Sequence, residues 1–559
     1  MGLDLTFLCA RFPALQPSPI GREPGVTSYQ LQLPHLPQDR AFKWAELRVP
    51  KGFPELESAF IQLSPDAVLN VPHLDGAGVL CVKGDPGPGS GCSAEERILF
   101  LLHAYLEKFL KPWMNGDLDG DFEAEALNYW AIEVARARSE KNPVRAVWTV
   151  DHPPVKARLR SGLLLIPSRI LIAADEQLRI TNRVVQSMGP AATQRVKVLI
   201  ADIPISHVFT PTTWPRTTSD LERILKGRLP GTDFLRFQSS HSRRGRGIYR
   251  IALLRSLDVA FAYLLPGGPP TVLNLKRGKK TFPPLRKPLP LMVSRIDPGW
   301  TVGRDQHPEV QARQGKHILV LGAGALGSPS IDHLAKAGVG RISVVDSDTM
   351  SSANIGRHLL GADSVGKTKV DAIAQRVNSG YPATLVIPHA MTTAEWLKKN
   401  SLADVDAVLD LTGEPDVRAQ LELARLSHPC PLLIGWMEPY VAAAHVCVLP
   451  SDKRWLQGAQ DPMSGLEAVV WPSEVIRQEP GCSSRFQSYT AAAAAHAVAL
   501  VAECALEMID CASDSFEPTV RSWVRGQNFL DKHWPGLVHK DWALSAREHD
   551  GLTLIRQFP

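Results

Sequence analysis

Gly322, Gly324 and Gly327 stand in HILVLGAGALGS, directly after the apolar run Ile318 to Leu321, and Asp346 closes a second apolar run beyond an intervening helical stretch. Glycines at this spacing let backbone N–H groups approach a phosphate at the start of a helix, and an acid ending the second strand can accept ribose hydroxyls. Taken alone, such a loop suits NAD or FAD as well as a nucleoside triphosphate. Past Asp346 come Asn354, Arg357 and Lys369. A dinucleotide redox enzyme has no need of these polar and cationic groups there. A triphosphate under attack does, because its departing pyrophosphate carries charge that must be neutralised. The bland alternative is a solvated helix face.

Two cysteines add a second kind of chemistry. Cys482 stands in RQEPGCSSRFQSYT, whose Gly, Ser and Pro flanks predict an exposed loop, and thiolate chemistry needs access. Cys81 ends a proline- and glycine-marked stretch that runs from Val71-Pro72-His73 through Gly78-Val79-Leu80. On its own it reads as a small hydrophobe at a strand end. Cys92, in PGSGCSAEE, is a weaker candidate nucleophile near a helix start.

The elements that must position these residues are legible in outline. Residues 42–130 read as short strands of a meander, the irregular stretch to Cys81, a helix over EERILFLLHAYLEKFLKPW, and FEAEALNYW. Residues 150–290 hold apolar runs such as GLLLIPSRILIAADE and VKVLIADIPI, and TTSDLERILKGRL begins with a Ser/Thr cap. The glycine loop implies strand–turn–helix–strand. AAAAAHAVALVAECALEMI predicts a buried helix after Cys482. Three segments follow: 1–150, α+β; 151–290, a middle α/β or α+β domain and linker of unassigned role; and 291–559, a Rossmann-like α/β domain with a C-terminal tail.

The residues GAGALGS, VVDSDTMSSANIGRH and VGKTK resemble the adenylating fold of the ThiF, MoeB and ubiquitin-activating enzymes, over roughly residues 295–525. The resemblance implies ATP-dependent adenylation of a partner protein's C-terminal carboxylate. Within it Asp346 holds the ribose, Asn354 and Arg357 the phosphates, and Lys369 the α-phosphate region. Arg304 corresponds to an arginine that reaches ATP, often across a dimer, and Cys482 to the thioester-forming cysteine. The family's Asp-Asn pair, whose Asp helps hold Mg2+, is replaced in VLDLTGEPDVR, which leaves Asp410, Glu414 or Asp416 for that task and the metal ligands unknown. No CxxC pair is present, so no structural zinc is expected. The N-terminal segment is similar to ubiquitin-conjugating enzymes, with Cys81 as the conjugating thiol and His73 in place of the usual asparagine, as an oxyanion donor or base.

Composition sets the bounds. The 559 residues, 44% apolar and 21% charged, predict several globular domains, and a net charge of +5 does not force nucleic-acid binding. SRRGRG and LKRGKKTFPPLRKP are basic loops. Eight cysteines without framework spacing suit a reducing compartment. The N-terminal stretch lacks the features of a secretion signal, and no membrane span is expected, so the expected location is the cytoplasm.

The whole therefore resembles fused activating–conjugating proteins of bacterial ubiquitin-like conjugation operons, including CBASS-type antiphage operons. That implies a homodimer, ATP and Mg2+ as cofactors, and a partner with an exposed C-terminal tail, ubiquitin-like or nucleotidyltransferase-like. Its acyl group would pass to Cys482, then Cys81, then a target amine. The alternatives are an adenylating enzyme for a sulfur carrier or small substrate, a non-catalytic nucleotide-binding scaffold and, weakest, a redox dehydrogenase.

Overall fold

The computed structural model describes residues 10–13, 15, 18–23, 25–240, 248–267, 272–275, 278–281, 285–456, 458, 460–472, 475, 477–478, 485–486, 489–511 and 516–559. Cys482 and SRRGRG lie outside these residues. The chain divides into two compact units, residues 1–174 with 193–294, and residues 175–192 with 295–559.

In the first unit, β1 (Ser18–Glu23), β2 (Val26–Leu31), β3 (Ala45–Pro50) and β4 (Phe60–Leu63) form an antiparallel meander in chain order. One sheet face turns Leu47, Ile61 and Leu63 inward against Ile98, Leu102, Tyr105 and Phe109. These four sit three or four positions apart, one face of a helix. Ser93 starts that helix, Ala94–Ala104, with a capping box to Glu96. A π-helical turn, Tyr105–Leu110, precedes Pro112, whose ring cannot clear the i−4 carbonyl of a straight α-helix. Arg97, 2% exposed, pairs with Asp85 at 2.6 Å and donates to the Pro54 and Glu57 carbonyls, which pins the segment just past Cys81.

Residues 146–295 form a closed barrel, so the expected middle segment 151–290 lacks its first strand and most of its last. Its strands β5 (Ala146–Thr149), β6 (Arg158–Pro167), β7 (Ile170–Ala173), β8 (Ala192–Pro204), β9 (Tyr249–Arg255), β10 (Ala260–Leu264) and β13 (Leu289–Arg295) run in the order β10-β13-β5-β7-β6-β8-β9. A hairpin of β11 (Val272–Leu275) and β12 (Gly278–Thr281) leaves it. Ile200, Ile251 and Leu253 fill one side of the wall, while Leu199, Ala201 and Leu254 on the other pack with Trp130 from the helix Ala126–Ala137. Both faces are buried, so the strands read as continuous apolar runs. The helix Thr218–Arg228 begins, as expected, on a Thr217 cap.

The second unit holds an eight-stranded sheet. β14 (His317–Leu321), β15 (Arg341–Val345), β16 (Leu385–His389), β17 (Ala407–Asp410) and β18 (Leu432–Met437) are parallel. β19 (Ala443–Leu449), β22 (Thr519–Val524) and β23 (Leu552–Gln557) extend the sheet antiparallel. The order β16-β15-β14-β17-β18-β19-β22-β23 makes its parallel part Rossmann-like, with β14 at the switch point where successive strands begin to add on its other side. A short pair, β20 (Arg477–Gln478) and β21 (Arg485–Phe486), flanks the Cys482 segment. The expected buried helix runs Ala491–Asp510 behind a Thr490 cap, with Ala494, Ala497, Val501 and Ala505 in the core. By length and composition it is the one described helix that could cross a membrane, yet ten of its twenty residues are buried. The expected C-terminal tail supplies the sheet's edge strand, β23.

Candidate functional site

The switch point gathers the glycine loop, Asp346 and Asp410 at the carboxyl ends of β14, β15 and β17, with Leu321 in register opposite both Val345 and Asp410. Gly322 has φ +88°, and a Cβ there would lie 3.0 Å from the Leu411 backbone. A Cβ on Gly327 would overlap the Gly322 carbonyl oxygen. Both glycines are required by the chain itself. At Gly324 a Cβ would meet no atom within 4 Å, and φ is not left-handed, so the chain does not demand glycine there. What the bare backbone leaves open is the approach of a ligand to the loop, beside the start of the helix Gly327–Lys336.

Asp346 is half-buried and accepts from the Ala323 N–H at 2.7 Å with one oxygen and from the Asp348 N–H at 2.7 Å with the other. It thus ties loop to strand end and keeps lone pairs for hydroxyls. Asn354 closes a short 3₁₀ turn by accepting from the Ser351 N–H and hydroxyl through Oδ1. Arg357 is half-buried, donates to the Ala353 carbonyl at 3.1 Å, and places its guanidinium 5.8 Å from the Tyr489 ring. Lys369, first residue of the helix Lys369–Gly380 and only 7% exposed, donates from Nζ to Asp348 at 2.7 Å. Arg304 is exposed in left-handed conformation after the helix Pro298–Gly303, and makes no side-chain hydrogen bond or ion pair among the described residues.

Asp410 is 1% exposed. Its Oδ1 accepts from the Thr412 N–H and hydroxyl, and its Oδ2 is buried without a partner. Burial pushes this carboxyl up, against the bonds from Thr412. An orphaned carboxylate oxygen beside the glycine loop fits a hard divalent cation. Glu414 and Asp416 are exposed near the start of the helix Pro415–Ser427.

Two further residues hold the site, His358 and Asp348, whose roles the spacing of the motif does not reveal. His358 donates from Nε2 to the Ala323 carbonyl, and its Nδ1 accepts from the Leu360 N–H at 3.1 Å, so it holds the carbonyl of the residue whose N–H Asp346 holds. Burial holds its pKa below the ordinary histidine value. Asp348 is the counter-ion of Lys369. Both lie within the quoted motif, His358 as its last residue.

In the first unit the segment 73–81 folds back on itself. The Cys81 N–H donates to the His73 carbonyl at 2.7 Å, Leu74 pairs with Leu80, and Asp75 accepts from the N–H groups of Ala77 and Val79. Cys81 is exposed and unpaired by disulfide, and Cys92 is half-buried. Burial, with Asp75 and Glu125 nearby, raises the Cys81 thiol. The structure therefore joins His73 and Cys81 through the backbone. The His73 ring turns to carboxylates, Nε2 to Asp121 at 2.8 Å and Nδ1 to Glu125 at 3.2 Å. Tyr129 completes the cluster, donating to Glu125 at 2.7 Å and accepting from the His73 N–H. Asp121 opens the short helix Asp121–Ala124, Tyr129 lies in the helix Ala126–Ala137, and Glu125 stands at the non-helical joint between them.

A nucleotide-type loop on a switch-point sheet defines the class as an α/β nucleotide-binding protein. The ThiF family pattern matches residues 306–470, all within the second unit. It is 27% identical, over 80% of its length and 82% of the relative's, to the ATP-dependent ubiquitin transferase-like protein Cap2 of Pseudomonas aeruginosa. The adenylyltransferase and sulfurtransferase UBA4 of Yarrowia lipolytica is 37% identical over 19% of this chain and 26% of that one. A crystal structure of E. coli MccB is 18% identical, with a TM-score of 0.30 over 38% of this chain and 61% of that chain.

Proposed function

We propose that this protein uses ATP to adenylate the C-terminal carboxylate of a partner protein, captures the acyl group on Cys482, passes it to Cys81 and conjugates it to a target amine. The observation that carries the adenylation is the open backbone at Gly324, flanked by Asp346 and, farther along the motif, by Arg357 and Lys369. The similarity to a ubiquitin transferase-like protein over four-fifths of the chain supports the conjugating half. The segments expected at 1–150, 151–290 and 291–559 are then a conjugating module, a barrel of unassigned role and an activating module.

The chemistry follows from what a carboxylate lacks, namely a good leaving group. A carboxylate oxygen of the tail attacks the α-phosphorus of ATP and pyrophosphate leaves, giving an acyl-adenylate. Asp346 receives the ribose, the loop N–H groups and Arg357 the phosphates, and Lys369, released from Asp348, the α-phosphate. Asp410 would hold Mg2+, which when bound offsets phosphate charge. The Cys482 thiolate then attacks the acyl carbon and AMP leaves. Thiol exchange moves the acyl group to Cys81, and the target amine takes it with release of the thiol. With both ring nitrogens engaged, His73 acts as a positioning residue that holds the Cys81 arch on Asp121 and Glu125. A homodimer, a ubiquitin-like or nucleotidyltransferase-like partner and an antiphage role complete the reading.

The test is intact mass of the protein after incubation with ATP, magnesium and the partner without reductant, for wild type, Cys482→Ala and Cys81→Ala. Thiol-sensitive adducts that stall on Cys482 in Cys81→Ala are expected. Pyrophosphate release with no dependence on Cys81 would reduce the protein to an activating enzyme, and ATP binding without pyrophosphate release to a scaffold.

A further inference from the structure

The second unit contains a cavity of about 560 Å³ that the adenylation chemistry does not use. Tyr440, Tyr489, His496, Arg525, Phe529 and His533 line it, with the first turn of the helix Ala491–Asp510. No carboxylate lines it among the described residues. The Arg525 guanidinium stands 4.6 Å from the Trp523 ring and 4.8 Å from the Phe529 ring. Its Nη1 donates to the Asp550 carbonyl at 3.3 Å, and its Nε is buried with no partner. No carboxylate forms an ion pair with it among the described residues; burial lowers its pKa, against the more distant charge of Asp550. The N-terminal end of the helix adds positive potential.

The backbone is bent to build this wall. Tyr440 and Val441 are consecutive left-handed residues, at φ 59° and 58°, and a β-branched residue there is a strained exception. The bend brings the Tyr440 ring 5.1 Å from that of His533, itself 4.2 Å from Phe529.

Position gives the cavity its meaning. Tyr489 lines it and also faces Arg357, and Arg357 joins His358 and Ala325 of the glycine loop around a second cavity of about 160 Å³. A continuous row thus leads from the glycine loop through Arg357 and Tyr489 to Arg525. A tail with its terminal carboxylate at the loop and its chain extended along this row would bring an upstream residue to Arg525, and the row fixes the direction of the tail.

We propose that this cavity is a specificity pocket for an acidic side chain of the incoming tail, paired with Arg525 and flanked by the Tyr440, Phe529 and His533 rings. The assignment rests on the adenylation reading for the direction of the tail, and names the substrate class as tails with Asp or Glu upstream of the terminal residue. A charge-assisted, bidentate contact from a guanidinium suits a carboxylate.

The test uses the full chain and fluorescent ten-residue peptides with free C-termini, made of Ala and Gly. One Glu is placed in turn at each position from second to eighth from the end, with Gln and phosphoserine controls, and binding is read by anisotropy. In parallel, binding of a non-hydrolysable ATP analogue is measured. Arg525→Met removes the cation. Ala493→Glu is the second variant: with the Thr490 cap it completes a capping box, which protects the fold while placing a negative charge in the cavity. Glu at one or two adjacent positions should bind at least fivefold tighter than Gln, and both variants should abolish that difference while ATP-analogue binding persists. Equal affinity at every position, or an unchanged preference in Arg525→Met, would overturn the pocket and leave adenylation standing. Preference for phosphoserine over Glu would overturn the carboxylate assignment. Absence of ATP-analogue binding would refute the adenylation reading, and the peptide series, which needs no catalysis, would still decide the pocket.

Discussion

Alanine at Gly324 should separate ligand binding from folding within one loop. The added methyl meets no protein atom within 4 Å, and the backbone is not left-handed. Removing glycine freedom from the unfolded chain then leaves stability unchanged or raises it by about 0.4–1 kcal/mol. A nucleotide phosphate approaching the loop N–H groups meets that methyl. Loss of one hydrogen bond to a charged group costs about 1.5–3 kcal/mol, which weakens ATP binding roughly ten- to 150-fold. Gly327→Ala is the contrast: its methyl overlaps the Gly322 carbonyl, fixed backbone, and overpacking of this kind costs about 1–3 kcal/mol. The assay pairs urea unfolding with calorimetric titration of a non-hydrolysable ATP analogue. Wild-type affinity in Gly324→Ala would refute the reasoning, because the open space would then face no ligand. Equal destabilisation in both variants would refute it too.

Cys81 should alkylate slowly near neutral pH, since burial and the Asp75 and Glu125 carboxylates keep its thiol protonated. Glu125→Gln should speed iodoacetamide labelling at pH 8 by about two- to fivefold; unchanged labelling would mean that Glu125 does not act on the thiol. In the second unit, burial holds His317, His358, His389 and His496 below the ordinary value of 6.5. The folded state then binds fewer protons than the unfolded one below about pH 6.5, so stability is full above that pH and falls as pH drops through it. Thermal unfolding between pH 7.5 and 5 should show this loss, partly relieved in His358→Gln; a flat profile would count against buried neutral rings.

The glycine loop, Asp346 and the following motif were legible because local spacing fixes strand, turn and helix start together. The Ala491–Asp510 helix was legible from its length and apolar run. The barrel was not. Its neighbours, such as β5 beside β13 and β8 beside β9, are far apart in sequence, and strands buried on both faces carry no alternation to betray their order. The alternation of Leu552–Gln557 was present in the sequence, but a charged terminal stretch with two tryptophans reads as a tail until β22 is there to pair with it. Around Cys81 the sequence pointed to His73, while the ring's partners, Asp121 and Glu125, lie about fifty residues away at the joint of two helices and look like ordinary solvated acid. Lys369 was read as a phosphate ligand, but its resting partner Asp348 emerged only from three-dimensional placement.

The helix Arg179–Ser187 interrupts the barrel strands between β7 and β8, yet it belongs to the second unit, where it packs on the helix Lys369–Gly380. Its partner leaves the ribosome about 180 residues later, a wait of roughly ten to forty seconds at common elongation rates. For that interval Val184 and Val185 are denied the cover they have in the finished protein, where both are buried. The order of synthesis and the order of assembly therefore differ in this chain. The nascent chain thus carries a mostly polar helix whose Val184 and Val185 await a partner not yet made.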